Sequence, residues 1–343
     1  MTISAVVLGA SGFAGAELLR ILEVHPEFTV TAAAASSQVG KPVAGAYPSL
    51  TSVAHLSFVP VEEALAGDAE IVFSSLPHNG SMGLFADAGR PKVVDLGGDH
   101  RLDDATQYRE WFGEAHTRPE SLSSWVYGLT EFHRKEVAEA DRVANPGCYS
   151  TAALLALAPL LSAGLIEAEI IHVDAKSGVS GAGRAGGEGF DFCSANENLS
   201  PYAVTGHKHI AEIEQELTLA AGRPTRVSFV PHLVPMNRGI LASCAAQATP
   251  ATSQADLSTA LAEAYRDEPF VRVLDGDLPR TKRLSGTNFA EVAVRFDART
   301  GRVLAFAAID NLGKGAAGQA VQNANLMFGL PEAAGLGDRP LLP

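Results

Sequence analysis

Three cysteines, Cys148, Cys193 and Cys244, are all the thiols the chain has. That number argues against a disulfide framework, and their spacing fits no zinc module. Cys148 lies in "NPGCYST" (145–151), between a turn and an apolar run that reads as a helix. At a helix start the macrodipole and the unpaired N–H groups favour a thiolate, and the same N–H groups can hold an oxyanion after attack on a carbonyl. Packing alone would also account for a cysteine there. Cys244, inside "ILASCAAQ", reads as a small buried hydrophobe, the usual fate of a free cysteine, and Cys193 takes no role. A base to serve the thiol is offered by "TGHKHIAEIEQEL", which sets His207 and His209 at the start of a helix, where the dipole favours neutral imidazole. Neither is singled out by position. As an i, i+2 pair they could also ligate a metal, but no Cys/His cluster or H-E-x-x-H spacing supports one, so no metal is expected. His172 and His232, within strand-like runs, read as structural. Arg184 in "SGAGR" stands beside glycines whose exposed N–H groups would join it in an anion pocket. Lys208, Arg101 and Arg238 are weaker candidates for which surface ion pairs serve equally well.

A second cluster lies at the amino terminus. "VVLGASGFAG" spaces Gly9, Gly12 and Gly15 as G-x-x-G-x-x-G, with Ser11 and Phe13 between, at the junction of a strand and a helix. Glycine there permits the tight turn and the close approach of a pyrophosphate to a helix N-terminus, although helix–strand packing alone could require the same residues. The next strand ends in "TAAAASSQVGK", with Ser36, Ser37 and Lys41 where an NAD site carries Asp or Glu. Hydroxyls and a lysine tolerate a ribose 2′-phosphate that a carboxylate would repel, so NADP is expected rather than NAD.

These groups need elements to position them. Apolar runs at 3–8, 28–34, 70–75, 92–97 and 142–144, several without alternation, read as strands buried on both faces, and "GFAGAELLRILEVHP" between the first two reads as a helix that stops before Pro26. That is a βαβ unit. After Cys148 come a helix over about 149–163 and "EIIHVDAKSG". A long glycine-rich loop leads to a second helix over about 207–220, and a strand-rich remainder is broken by one helix near 254–265. The segment 311–329 reads as a helix. The expected architecture is α/β, with a Rossmann dinucleotide-binding domain over 1–147, to which the carboxy-terminal segment 311–343 returns. An α+β domain with a mixed sheet follows over 148–310 and carries catalysis and oligomerisation.

With 343 residues, 46% of them hydrophobic, and 33 glycines and 19 prolines, the composition is that of an ordinary α/β protein. A formal charge of −13 argues against a nucleic-acid surface. The first strand lacks a basic flank and turns at glycine, unlike a signal peptide, and the longest apolar run, from Ser150, holds Pro159 and Gly164 and is too short for a membrane span. The cytoplasm is the expected location.

Taken in order, "GASGFAG", "SLPHNGS", "DLGGDHRL", "YGLTE", "NPGCYSTAALLALAPL", "SGVSGAGR", "GHKHIAEIEQEL", "VPHLVPMNRGI" and "IDNLGKGAAGQAVQNANLMFG" resemble the N-acetyl-gamma-glutamyl-phosphate reductase family of arginine biosynthesis, from about residue 3 to residue 330. Wider relatives are the aspartate-semialdehyde dehydrogenases and, more remotely, the phosphorylating glyceraldehyde-phosphate dehydrogenases. The resemblance implies that Cys148 attacks a γ-acyl phosphate and expels inorganic phosphate. Reduction of the resulting thioester with NADPH then yields N-acetylglutamate semialdehyde. It implies His209, or alternatively His207, as the acid–base group. It assigns Ser75 and Pro77, with Ser180, Gly181 and Asn311, to the cofactor, and Arg184, Asn145 and Arg101 to the substrate and its phosphate. A homo-oligomer, commonly tetrameric, is implied as well. Residues 188–198 match least and carry no assigned role. Two alternatives stay open: a sister enzyme acting on aminoadipyl or aspartyl phosphate, since one methylene is worth only about 1–3 kcal/mol of discrimination, and a non-catalytic NADP-binding redox sensor.

Overall fold

The computed structural model describes residues 2–85, 91–184, 186, 189–337 and 340–341. Parts of the glycine-rich loop (185, 187 and 188) and of the carboxy-terminal segment (338, 339, 342 and 343) lie outside the described residues. The strands are β1 (Ile3–Leu8), β2 (Phe28–Ala34), β3 (Phe58–Val59), β4 (Ile71–Ser74), β5 (Lys92–Asp95), β6 (Val126–Tyr127), β7 (Arg142–Ala144), β8 (Ile171–Gly178), β9 (Ser200–Pro201), β10 (Val227–Val234), β11 (Ile240–Gln247), β12 (Val271–Val273), β13 (Ala290–Asp297) and β14 (Arg302–Ile309). The helices are α1 (Phe13–Leu22), α2 (Val43–Ala46), α3 (Val61–Leu65), α4 (Ala105–Phe112), α5 (Thr130–Glu139), α6 (Cys148–Ser162), α7 (Phe192–Ala195), α8 (His209–Ala221), α9 (Gln254–Ala264) and α10 (Gly318–Met327).

The chain divides into two compact units, residues 1–146 with 316–337 and residues 147–315 with 338–343. In the first, seven strands run in the order β3-β2-β1-β4-β5-β7-β6, every pairing parallel. A parallel sheet is covered on both faces, which is why β1 and β4 show no polar alternation: Ala5, Val7, Leu8, Ile71, Val72 and Phe73 are fully buried. α1 turns Leu18, Leu19, Ile21 and Leu22 inward, as their spacing requires.

The second unit holds a mixed sheet in the order β12-β13-β14-β11-β8-β10-β9, with β8 and β10 parallel and β11 antiparallel to both β8 and β14. α6 packs on β11 and β14 and is flanked by α8 and α9. Because neighbours surround it, the helix is buried from Tyr149 to Leu161 and has no polar face.

The segment expected as one helix over 311–329 is not one. A π-helical turn fills Gly313–Ala317, and α10 begins at Gly318. Side chains hold the first part as a loop. The buried Asp310 carboxylate accepts from the N–H groups of Leu312 (2.8 Å), Gly313 (3.2 Å) and Gly286 (2.6 Å), and Asn311 accepts the N–H of Gly239 at 2.7 Å. Acceptors such as these compete directly with helical carbonyls.

Candidate active site

In the first unit the three glycines each meet a distinct steric demand. Gly9 has φ +72°, and a Cβ there would lie 2.5 Å from the Ser75 carbonyl oxygen. Gly12 caps α1, and its N–H donates to the Gly9 oxygen at 2.9 Å. Gly15 packs α1 so close to the turn that a Cβ would lie 2.3 Å from the Gly9 oxygen. The Ser75 hydroxyl donates to the Leu8 oxygen at 2.8 Å, which ties the end of β4 to the turn. Ser11, Gly12 and Phe13 are partly exposed at this helix start, and Ser36, Ser37 and Lys41 are exposed just beyond β2. From Ala33 to Ser37 there is no carboxylate, so this rim fits a phosphorylated ribose. Pro77 is exposed in the loop after Ser75. Two buried carboxylates fix that loop: Ser81 Oγ stands 2.7 Å from Asp95 and 2.9 Å from Asp99, and the Asn79 N–H donates to Asp99 at 3.0 Å. Replacing Gly15 with Ala is expected to displace the turn and weaken dinucleotide binding about tenfold or more, as losing one hydrogen bond to a charged group would. Fluorescence titration of the folded variant measures it.

Two residues assigned to the substrate make hydrogen bonds within the first unit. Asn145 is fully buried; its Nδ2 donates to the Ala316 oxygen (3.2 Å) and its Oδ1 accepts from Asn323 (3.2 Å). Arg101 gives Nε–H to the Asn145 oxygen (2.8 Å) and a terminal N–H to the Leu96 oxygen (2.7 Å). Each end of the Asn145 amide thus makes one hydrogen bond within the first unit. Arg101 thereby clasps two main-chain carbonyls.

In the second unit Cys148 is the first residue of α6, partly exposed, with Gly147 as an N-cap that contributes no side chain. The helix start thus offers main-chain N–H groups at the thiol. Gly147 gives its own N–H to the Glu212 carboxylate at 2.6 Å, and Glu212 is buried. Gly315 is packed onto this spot, since a Cβ on it would lie 2.8 Å from Cys148 Cβ. Cys193 is exposed, and Cys244 is buried in β11, where burial pushes its thiol up to about 12.

The two histidines separate. α8 begins at His209, two residues later than a helix containing both would require, and the His209 N–H donates to His207 Nδ1 at 3.2 Å. His207 is therefore a cap whose proton sits on Nε2. Burial foremost, and then the neighbouring His209, holds its pKa down at about 3. It stays neutral at any physiological pH. The rings are 4.7 Å apart, and Tyr149 lies edge-on to both, at 5.6 Å from His207 and 6.0 Å from His209. Tyr202 donates to the Tyr149 hydroxyl at 3.0 Å, and burial raises both phenols, Tyr202 to about 12.

Asn311 spans two loops, accepting from Gly239 and donating its Nδ2 to Ser180 Oγ at 2.9 Å, with Gly181 alongside. Arg238 is bound to the buried Asp310 at 2.9 Å. Arg184 is exposed at the end of the turn after β8. Beside Val179 and Arg238 opens a cavity of about 660 Å³, lined also by Met236, Phe192, Asn196 and Lys282. Sequence reasoning passed over Glu212, Tyr149 and Tyr202. Glu212 could have been found, because it follows His209 by three residues and so lies on the same helix face; nothing local marks Tyr202. Replacing Glu212 with Ala leaves the buried Gly147 N–H unsatisfied and is expected to destabilise by about 1–3 kcal/mol, whereas Glu212→Gln keeps an acceptor and most of the stability. Denaturant unfolding of the two variants distinguishes them.

Residues 4–140 match the family described as semialdehyde dehydrogenase, NAD binding domain, and residues 148–311 match its dimerisation domain. The N-acetyl-gamma-glutamyl-phosphate reductase of Citrifermentans bemidjiense is 47% identical over 99% of this chain and 100% of its own, and that of Symbiobacterium thermophilum is 48% identical over 98% of each. The chain belongs to the N-acetyl-gamma-glutamyl-phosphate reductase branch of the semialdehyde dehydrogenase family. This membership accounts for the parallel-sheet dinucleotide-binding unit and the mixed-sheet unit that carries Cys148. The fold is shared more widely. Aspartate semialdehyde dehydrogenase II of Vibrio cholerae superposes with a TM-score of 0.72 at 19% identity, over 96% of this chain and 99% of that one. The Candida albicans aspartate semialdehyde dehydrogenase, solved with NADP, has a TM-score of 0.69 at 20% identity, over 96% of this chain and 99% of that one. Among the described residues no helix is long and apolar enough to cross a membrane.

Proposed function

We propose that this family member reduces N-acetyl-gamma-glutamyl phosphate to N-acetylglutamate 5-semialdehyde in arginine biosynthesis, through a thioester on Cys148. The observation that carries the reading is a cysteine at the uncapped start of a buried helix, in a unit that also supplies a neutral histidine cap and a second histidine beside it.

The Cys148 sulfur attacks the γ-carbonyl carbon while the α6 N–H groups receive the developing oxyanion. The C–O bond to phosphate breaks and inorganic phosphate leaves, with Arg184 and the N–H groups around Gly181 as its cradle. Gly9, Ser11, Gly12, Phe13 and Gly15 would hold the pyrophosphate of NADPH, and Ser36, Ser37 and Lys41 would accommodate a ribose 2′-phosphate; when bound, the dinucleotide would supply the hydride for reduction of the thioester. Ser75 and Pro77 in the first unit, and Ser180, Gly181 and Asn311 in the second, are the further residues assigned to the dinucleotide. His209, protonated, gives its proton to the oxyanion that hydride addition leaves and takes it back as the thiohemiacetal collapses, when the C–S bond breaks to release aldehyde and thiolate. His207, committed through Nδ1 and neutral, orients His209 without exchanging protons. The enzyme works as a homo-oligomer, a tetramer, in the cytoplasm; the match of residues 148–311 to a dimerisation domain supports self-association.

Introducing Asp at Ser36 is expected to weaken NADP binding about tenfold or more through charge repulsion and to leave NAD less affected; paired titrations check the ratio. The function itself is tested in reverse, with N-acetylglutamate semialdehyde, NADP and phosphate, by following NADPH absorbance with aspartate semialdehyde as a competing aldehyde. Phosphate-dependent NADPH formation, fastest with the acetylglutamyl aldehyde, is the expected result. NADP binding without turnover on any aldehyde would leave the protein a sensor.

A further inference from the structure

The turn that delivers Cys148 has few groups with which to hold itself. Pro146 has no N–H, and the three residues from Asn145 to Gly147 therefore offer two main-chain donors. Both are used: the Asn145 N–H donates to the Asp95 oxygen at 2.7 Å and the Gly147 N–H to Glu212 at 2.6 Å. The Asn145 carbonyl accepts from Arg101 at 2.8 Å and the Gly147 carbonyl from the Thr151 N–H at 2.8 Å. The side chain of Asn145 adds a further tie, bound at both ends inside the first unit. Nδ2 reaches the Ala316 oxygen at 3.2 Å, and Oδ1 receives Nδ2 of Asn323 at 3.2 Å.

Asn323 sits in α10, fully buried, on a helix whose Gln319, Gln322 and Asn325 are also buried. A polar helix interior of this kind is costly unless every group is matched. Asn323 is matched completely by groups around the turn. Its Nδ2 also donates to the Gly128 oxygen at 2.8 Å, and its Oδ1 accepts from the Thr130 hydroxyl at 2.8 Å. Thr130 in turn accepts from Gln319 Nε2 at 2.6 Å. Gly128 is pressed so tightly against this amide that a Cβ on it would lie 2.5 Å from Nδ2. Leucine would fill the same interior without needing any of these partners. The amide's directionality is the property used, and it points at the residue three positions before the nucleophile.

We infer that Asn323 is a positioning residue for the nucleophile: through the side chain of Asn145 it fixes the turn Asn145–Gly147 and hence the place at which Cys148 enters α6. This rests on Cys148 being the nucleophile. A small displacement of an attacking atom costs rate far more than it costs binding, so the signature is a loss in kcat with little change in KM.

The test is a double-mutant cycle on the full-length enzyme, with Asn323→Ala, Asn145→Ala and the double variant assayed in the reverse direction. NADP affinity and thermal unfolding are measured on each. Each single variant is expected to bind NADP within about twofold of the parent and to lose about tenfold or more in kcat, with KM for the aldehyde little changed. Each should also alkylate at Cys148 with an altered pH profile. The double variant should lose little beyond the worse single, because both act through one bond. Losses that multiply in the double variant, or a kcat within twofold of the parent in either folded single, overturn the inference. If Asn323→Ala does not fold, Asn323→Ser, which keeps a small donor, takes its place in the same cycle. Cys148→Ser is run alongside: if it still turns over, the assignment of the nucleophile has failed, and the cycle is then read on alkylation alone.

Discussion

Cys148→Ser is expected to abolish phosphate-dependent NADPH formation, lowering kcat by about four orders of magnitude or more, the scale on which removal of a covalent nucleophile is felt. Serine is similar in size to cysteine, so the start of α6, the Gly147–Glu212 bond and the close packing of Gly315 survive. The hydroxyl, however, is not ionised near neutrality by a helix dipole that suffices for a thiol, and an ester in place of the thioester would be a poorer hydride acceptor with a poorer leaving group. NADP should bind the serine variant as it binds the parent, because every group of the phosphate loop lies in the other unit. Equilibrium titration together with single-turnover assays separates the two effects, and a serine variant retaining a hundredth of the parent rate would remove Cys148 from the mechanism.

For His209→Asn the expected loss is about 10²- to 10⁴-fold in kcat, the usual worth of a positioned acid–base group. The companion variant His207→Asn serves as the contrast. His207 holds a pKa of about 3 in the folded protein against an ordinary 6.5, so it binds no proton between those values in the native state, while the unfolded chain does. By linkage the stability associated with it is fully present above about pH 6.5 and declines as the pH falls toward 3. It can therefore shape acid denaturation but cannot produce a limb in the rate profile between pH 5 and 8. Any such limb should persist in His207→Asn and vanish in His209→Asn. Rate profiles of kcat/KM for both variants decide the assignment, and the opposite pattern would exchange the two roles.

Much of this molecule is legible in the chain because its elements are punctuated strongly. Buried parallel strands such as β1 and β4 announce themselves as unbroken apolar runs, and Gly9 and Gly15 mark places where a side chain cannot fit. The places where reading fell short are those where long-range polar contacts override local preference. The run from Asp310 has good helix formers after it, yet Asp310 and Asn311 hold it open by accepting N–H groups from Gly286 and Gly239. The tie between Asn145 and Asn323 joins residues 178 positions apart in sequence, and no local pattern marks it. Glu212 and Tyr202 reach the site by folding alone, and the two-residue strands β3, β6 and β9 are too short to carry a period.

The enclosure of α6 bears on how this protein ages. A helix buried on all sides by β11, β14, α8 and α9 has no shallow route to partial opening, so its amides exchange with solvent only when the surrounding unit unfolds cooperatively. The seat of Cys148 is the first residue of that helix. Loss of the nucleophile's geometry and melting of the mixed-sheet core are then one event, and thermal inactivation of the catalyst should follow the same time course as the disappearance of its tertiary structure, with no long-lived species that is folded but inert.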